Sequence, residues 1–166
     1  MSRIGFIGLG NMGSKMVLNL LKANYEVKGY DINEKFVDIL LPKGLKKAAN
    51  LHDISKDTDV VITMLPNGKI VEEVYDNIVN SFKPGTLFVD CSTIDVNVAK
   101  DLHRKCEAKG FLSLDAPVSG GVGGAEHATL TFMVGGTEIA YKTMLPLFEV
   151  MGKKSLLCGS AGSGQA

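Results

Sequence analysis

Residues 3–21 read RIGFIGLGNMGSKMVLNLL, and the order of features inside them decides the fold. The apolar run Ile4-Gly5-Phe6-Ile7 suits a strand buried on both faces of a parallel sheet. Gly8-Leu9-Gly10-Asn11-Met12-Gly13 follows, a G-x-G-x-x-G. A helical pattern then begins at once: Met12, Met16 and Leu20 recur every four residues, and Val17, Leu18 and Leu21 widen the apolar face. Gly8 permits the turn out of the strand, Gly10 leaves no Cβ between backbone and a pyrophosphate, and Gly13 lets the helix approach the strand. The unpaired N–H groups at the helix start, carrying about half a positive charge from the aligned peptide dipoles, would then face phosphates.

A lone G-x-G-x-x-G is weak, so its surroundings decide. A second strand, Tyr25-Glu26-Val27-Lys28-Gly29-Tyr30, ends on Asp31, which is placed where a carboxylate accepts the adenosine ribose hydroxyls of a dinucleotide. Strand, glycine turn, helix and acid together indicate a dinucleotide site. Asp31 selects NAD over NADP, because a 2′-phosphate ~4 Å from it would cost up to about 4 kcal/mol per charge at an effective dielectric of 20. No arginine follows nearby to compensate, and Lys35 is the nearby cation.

The 166 residues suit one domain, able to bury about 70% of its unfolded surface. With 45% hydrophobic residues and a formal net charge of +0, nothing suggests a nucleic-acid partner or a charged disordered tail. No apolar run approaches the ~20 residues that cross a bilayer, so no membrane association is expected. The first strand starts within three residues of Met1, so no leader is expected there. The expected compartment is the cytoplasm, or the mitochondrial matrix for a eukaryotic chain whose presequence has been removed. Cys91, Cys106 and Cys158 are odd in number and lack a C-x-x-C, so they read as small apolar residues in or near a core, without disulfides or zinc.

Along the rest of the chain, Asn33–Leu41 reads as a short helix ended by Pro42 and Gly44, and Leu45–Ala49 as a brief strand. Leu51–Lys56 reads as a small helix. Asp59–Leu65 is a buried strand with Pro66-Asn67-Gly68 at its carboxyl end, and Lys69–Phe82 has helical spacing. Thr86–Asp90 is a strand, Asp95 an N-cap for a helix through Lys109, and Phe111–Asp115 another strand. This alternation predicts a Rossmann-type α/β fold: a doubly wound, mostly parallel sheet with helices on both faces. The loops after Ile7, Tyr30, Leu65, Asp90 and Asp115 should converge on one crevice. In the last third, Ala116–Ala125 is glycine-rich without a periodic helix, and Thr129–Val134 is extended. Glu138–Met151 is helical with Pro146 expected to disturb it, and Ser155–Cys158 is a short strand. The glycine-rich end, residues 159–166, reads as flexible.

The two glycine-rich stretches, with Thr63-Met64-Leu65-Pro66, Asp90-Cys91-Ser92-Thr93-Ile94-Asp95 and Asp115-Ala116-Pro117-Val118-Ser119-Gly120-Gly121 followed by Leu130–Gly136, occur in one order. In that order they resemble the β-hydroxyacid dehydrogenase family over nearly the whole chain, most of all its branch acting on 3-hydroxyisobutyrate. The resemblance implies NAD contacts from Gly8, Leu9, Gly10, Asn11, Met12, Gly13, Asp31, Met64, Leu65, Pro66 and Thr93. It implies that Ser119, Gly120 and Gly121 bind the carboxylate of a small hydroxyacid substrate, and consecutive N–H groups of a glycine turn do form anion-binding concavities. Thr93 also suits an ordinary turn or capping role. Family members commonly carry glycine where this chain has Ala128, so the backbone of that loop is expected to differ, and His127 reads as a solvated loop residue. His52 and His103 fall on predicted surface helices and carry no signal.

The resemblance also implies a catalytic lysine two positions beyond Ala166, so no catalytic acid/base is expected within the chain. Residues 1–160 would form the NAD-binding domain, and 161–166 would begin a linker to a helical second domain through which the full-length enzyme forms a homo-oligomer. Semialdehyde reductases acting on tartronate, glyoxylate or succinate semialdehyde would share these motifs. A non-catalytic dinucleotide-binding module is the reading from another class.

Overall fold

The structure is a computed structural model that describes residues 1–166. Its first half alternates strand and helix: β1 (Arg3–Ile7), α1 (Asn11–Lys22), β2 (Glu26–Tyr30), α2 (Glu34–Leu40), β3 (Lys46–Lys47), β4 (Val60–Thr63), α3 (Gly68–Ile78) and β5 (Leu87–Asp90). The second half adds α4 (Val96–Ala108), β6 (Leu112–Asp115), β7 (Val118–Ser119), α5 (Gly121–Glu126), β8 (Leu130–Gly136), α6 (Glu138–Met151) and β9 (Gly152–Gly159). The sheet runs β3-β2-β1-β4-β5-β6-β8-β7, with β9 on the other side of β8. β1 to β6 pair in parallel, β8 runs antiparallel to β6 and β7, and β9 is parallel to β8.

The apolar strands divide their side chains between two cores. Ile4, Phe6, Val60, Ile62, Leu87 and Val89 enter one cluster with α1 and α6. Their neighbours Ile7, Val61 and Phe88 enter the other, with Val71 and Tyr75 of α3 and Leu102 and Cys106 of α4. Alternation toward two apolar layers is why these strands read as unbroken apolar runs. No helix is long and apolar enough to cross a membrane.

The caps explain the helix boundaries. The side chains of Asn33, Asn67, Asp95 and Thr137 each accept an N–H from the first turn of the helix that follows. The expected helix over Leu51–Lys56 is a 3-10 turn over Leu51–Ser55, and the weakly marked third strand is only Lys46–Lys47.

Four expectations are corrected. α6 continues through Pro146, because the proline lies on the exposed side while Met144, Leu147, Phe148 and Met151 are buried; tertiary burial overrides propensity. The 116–125 stretch does contain a helix, α5. It starts after Gly120, at φ 132°, and is tied to α1 by Asn19 Nδ2 donating to the Ala125 carbonyl at 2.7 Å. Cys91 and Cys106 are buried, but Cys158 is exposed on β9. The loop at Ala128 keeps the left-handed backbone that glycine prefers, with φ 56°.

That conformation crowds a Cβ against the following carbonyl. Ala128→Gly should therefore raise stability by up to about 1 kcal/mol, the relief of strain being partly offset by the greater freedom of glycine in the unfolded chain. Urea denaturation of both proteins checks it.

Candidate dinucleotide site

The sheet order reverses on the two sides of β1: β2 and β3 extend one way, β4, β5 and β6 the other. Ligands of open α/β sheets bind at this point, beyond the carboxyl ends of the strands. A cleft of about 710 Å³ lies there. Gly8, Gly10, Asn11, Met12, Gly13, Asp31, Met64, Leu65 and Pro66 all line it.

The glycines show why. At Gly13 a Cβ would collide with the Gly8 carbonyl oxygen, and at Gly8, with φ 101°, one would collide with the Met64 carbonyl oxygen. Around Gly10 a Cβ would meet nothing within 4 Å, so the space in front of that backbone is open. The first amide bonded within α1 is that of Ser14, which donates to the Gly10 carbonyl at 2.9 Å. The N–H groups of Asn11, Met12 and Gly13 thus have no protein acceptor. Open space before unpaired donors at a helix start fits a pyrophosphate.

Asp31 is fixed rather than free. Its Oδ2 accepts the Leu9 N–H at 2.7 Å, and its Oδ1 accepts the Asn33 N–H at 2.8 Å. Both oxygens keep further acceptor capacity toward the cleft. Leu9 acts through this backbone bond, since its side chain lies in the core. The cleft wall beyond Asp31 is apolar: Ile32, 92% exposed, with Phe36, Leu51, Ile70 and Val74. These residues carry no site signal in the sequence beyond the position of Ile32 directly after the acid.

The remaining candidates lie elsewhere on the same edge of the sheet. Thr93 is exposed on the loop after β5 and does not line the cleft. Ser92 beside it is buried and accepts the Leu65 N–H through Oγ at 2.8 Å, fastening the β4 loop to the β5 loop. Ser119, Gly120 and Gly121 are exposed where β7 meets α5, also outside the cleft lining.

Two carboxylates behind this rim matter. Asp90 is buried, with Oδ1 accepting from Thr63 Oγ1 at 2.8 Å and from the Ser92 N–H at 3.1 Å, while Oδ2 has no partner. Burial pushes its carboxyl up to about 6. Asp115, its neighbour on β6, is also buried, which pushes its carboxyl up. Donors from His103, Gly162 and Gln165 more than offset this and hold it below the ordinary carboxylate value. His103 is thus not the featureless surface histidine expected, since its side chain is only 12% exposed. Burial raises the thiols of Cys91 and Cys106, the latter to about 12, which removes them from nucleophilic chemistry near neutral pH.

The NAD binding domain of 6-phosphogluconate dehydrogenase, as a sequence family, matches residues 3–159. The mitochondrial 3-hydroxyisobutyrate dehydrogenase of Drosophila melanogaster is 49% identical over 98% of this chain and 51% of its own length. The NAD-dependent L-serine dehydrogenase of Pseudomonas aeruginosa is 44% identical over 99% of this chain and 56% of its own. The structure of Mycobacterium tuberculosis 3-hydroxyisobutyrate dehydrogenase with L-serine superposes with a TM-score of 0.97 at 44% identity, covering 99% of this chain and 57% of that one. The chain spans about half the length of the relatives it matches.

Gly10→Ala and Gly13→Ala should fail in different ways. The first should leave stability nearly unchanged yet weaken NADH binding by about 10- to 100-fold, its methyl occupying the phosphate space. The second should destabilise the fold by about 3 kcal/mol through the Gly8 carbonyl. Urea denaturation and calorimetric titration of each variant separate the two.

Asp90 makes stability depend on pH. A carboxyl titrating at about 6 when folded and near ~4 when unfolded binds more protons in the fold between those values. Its contribution is complete below pH ~4 and is lost as pH rises through ~6. Asp90→Asn keeps an acceptor for Thr63 and Ser92 and has no charge to bury. Its advantage over the parent should be absent at pH 4 and on the order of 2 kcal/mol at pH 8, read from denaturation at both values.

Proposed function

Since the chain belongs to the family of the NAD binding domain of 6-phosphogluconate dehydrogenase, we propose that it is the cofactor-binding half of an NAD-dependent dehydrogenase of small hydroxyacids. The substrate favoured by the names of its relatives is 3-hydroxyisobutyrate, oxidised to methylmalonate semialdehyde in valine breakdown. The observation that carries the reading is Asp31, held by the Leu9 and Asn33 amides in a cleft that the unpaired start of α1 also lines.

In this reading the start of α1 takes the pyrophosphate, and Asp31 takes the adenosine ribose. Met64, Leu65 and Pro66 flank the nicotinamide half, with Thr93 at its rim. Ser119, Gly120 and Gly121 hold the substrate carboxylate. Bound NAD supplies the hydride acceptor, and the protein supplies orientation and electrostatics. A lysine two positions past Ala166, leading into a helical second domain, takes the hydroxyl proton, and residues 161–166 begin the connection to it. The full-length protein works as a homo-oligomer in the cytoplasm or the mitochondrial matrix. L-serine is a second candidate substrate, because one relative is named for its oxidation and a matching structure contains it. Both molecules present a carboxylate and a primary hydroxyl at the same separation.

Calorimetric titration of this chain should give NADH binding at least about 10-fold tighter than NADPH. Asp31→Ser should bring the two within about threefold by removing the negative charge. A wild-type preference for NADPH would overturn the cofactor assignment. In the chain extended to its relatives' length, kcat/KM for 3-hydroxyisobutyrate above that for L-serine supports the first substrate, and the reverse order supports the second.

A further inference from the structure

Residues 159–166 are docked against the edge of the sheet instead of hanging free. Asp115 Oδ1 accepts the Gly162 N–H at 2.9 Å, and Asp115 Oδ2 accepts the Gln165 N–H at 3.1 Å. The Gln165 side chain then grips the β5 loop at two points: Nε2 donates to the Ser92 carbonyl at 2.7 Å, and Oε1 accepts the Ile94 N–H at 3.2 Å. The fit leaves no room for a Cβ at the glycines. A Cβ on Gly164 would strike the Met133 carbonyl, and one on Gly135 would strike Asp115 and the amides of Ser163 and Gly164. Gly162, at φ 89°, makes the turn that aims its amide at the carboxylate.

Behind Asp115 stands His103. Its Nε2 lies 3.0 Å from Asp115 Oδ1, and its Nδ1 lies 2.6 Å from Ser113 Oγ. The ring is held from both sides, with Nε2–H placed to donate to the carboxylate and Nδ1 beside the Ser113 hydroxyl. Asp115 thereby receives three donors while buried, which is what a carboxylate needs to stay charged there. A charged acceptor strengthens the two amide bonds that hold the segment.

We propose that Asp115, oriented by His103, is a positioning residue: it clasps Gly162 and Gln165 against the sheet, and through Gln165 it locks the Ser92–Ile94 loop beside the cofactor cleft. This deepens the reading above and rests on it in one respect, the acid/base lysine expected two residues past Ala166. The clasp fixes the direction in which the chain leaves the domain, and so the place from which that lysine reaches the substrate hydroxyl. A displacement of about 1 Å in such a group costs about 10²-fold in rate.

The test has two arms. In this 166-residue chain, amide hydrogen exchange should find Gly162 and Gln165 protected. His103→Ala should lower that protection by about 10-fold or more while Val89 and Leu114 keep theirs, and His103→Gln, whose amide can donate where Nε2 does, should restore it. Should His103→Ala also expose the core amides, Gln165→Ala replaces it, with protection lost at Ile94 as the readout. In the chain extended to its relatives' length, His103→Ala should lower kcat by about 10- to 100-fold with NADH affinity within about twofold, and His103→Gln should recover most of kcat. Unprotected Gly162 and Gln165 in the parent overturn the proposal. So does protection indifferent to His103 and Gln165, or a kcat that His103→Ala leaves unchanged. Extended parent protein inactive on any hydroxyacid, with the exchange arm as expected, refutes the proposed function and leaves the clasp standing.

Discussion

The contact between Gly13 and the Gly8 carbonyl sets the geometry on which the site depends. Because neither residue carries a Cβ, α1 sits against the end of β1 closely enough that its first turn opens directly over the carboxyl edge of the sheet. The same closeness leaves Gly10 facing open space and the first amides of the helix without protein acceptors. One steric constraint therefore does two things: it packs the helix on the strand, and it presents donors that only a ligand or water can satisfy. A larger residue at position 13 would force the helix outward and misplace every donor at its start.

The loops along that edge are linked by hydrogen bonds that run from one strand end to the next. The Gly8 N–H donates to the Tyr30 carbonyl and the Leu9 N–H to Asp31, which joins the β1 turn to the β2 loop. The Met64 N–H donates to the Ile7 carbonyl, and the Leu65 N–H to Ser92 Oγ, which carries the connection to β4 and then β5. Ser92 in turn offers its N–H to Asp90 and its carbonyl to Gln165. Each bond alone is worth about 1 kcal/mol. Their combined effect is that the loops carrying the candidate site residues keep fixed spacing, which a dinucleotide spanning several strand ends requires.

Much of this was legible because it is periodic or stereotyped. The apolar strands, the glycine turn, the acid at the end of β2 and the capping residue Asp95 all carry local signals, and the cleft assembles the glycine-turn residues with Asp31 and the Met64–Pro66 loop. What escaped was what only tertiary contact specifies. The six-residue α5 has no periodicity of its own and is held by packing on α1. His103 reads as a polar residue on an amphipathic helix, and its partners, Ser113 and Asp115, lie on the neighbouring strand. Residues 159–166 have the composition of a flexible segment, yet glycine also permits the close approach that docks them. Composition alone cannot separate those two uses of glycine.

In the proposed binding mode, with Asp31 as acceptor for the adenosine ribose, the environment of this residue bears on cofactor choice through more than charge. A carboxylate has about four acceptor directions, and here two are already taken by the Leu9 and Asn33 amides, one on each oxygen. One direction per oxygen remains, and the adenosine ribose of NAD brings two hydroxyl donors to meet them. A 2′-phosphate replaces one of these donors with a group that, when dianionic, can only accept. The acceptor it faces would then lose its hydrogen bond as well as gain a repulsive neighbour, and that loss persists in salt concentrations that screen the Coulomb part. The hydrogen-bond part of such discrimination would persist at high ionic strength, whereas the Coulomb part would fade. Because the backbone amides of Leu9 and Asn33 hold the carboxylate from two sides, rotating it to relieve the mismatch would break one of them, and selectivity in the proposed binding mode would be a property of the β1 and β2 turns as much as of the acid itself.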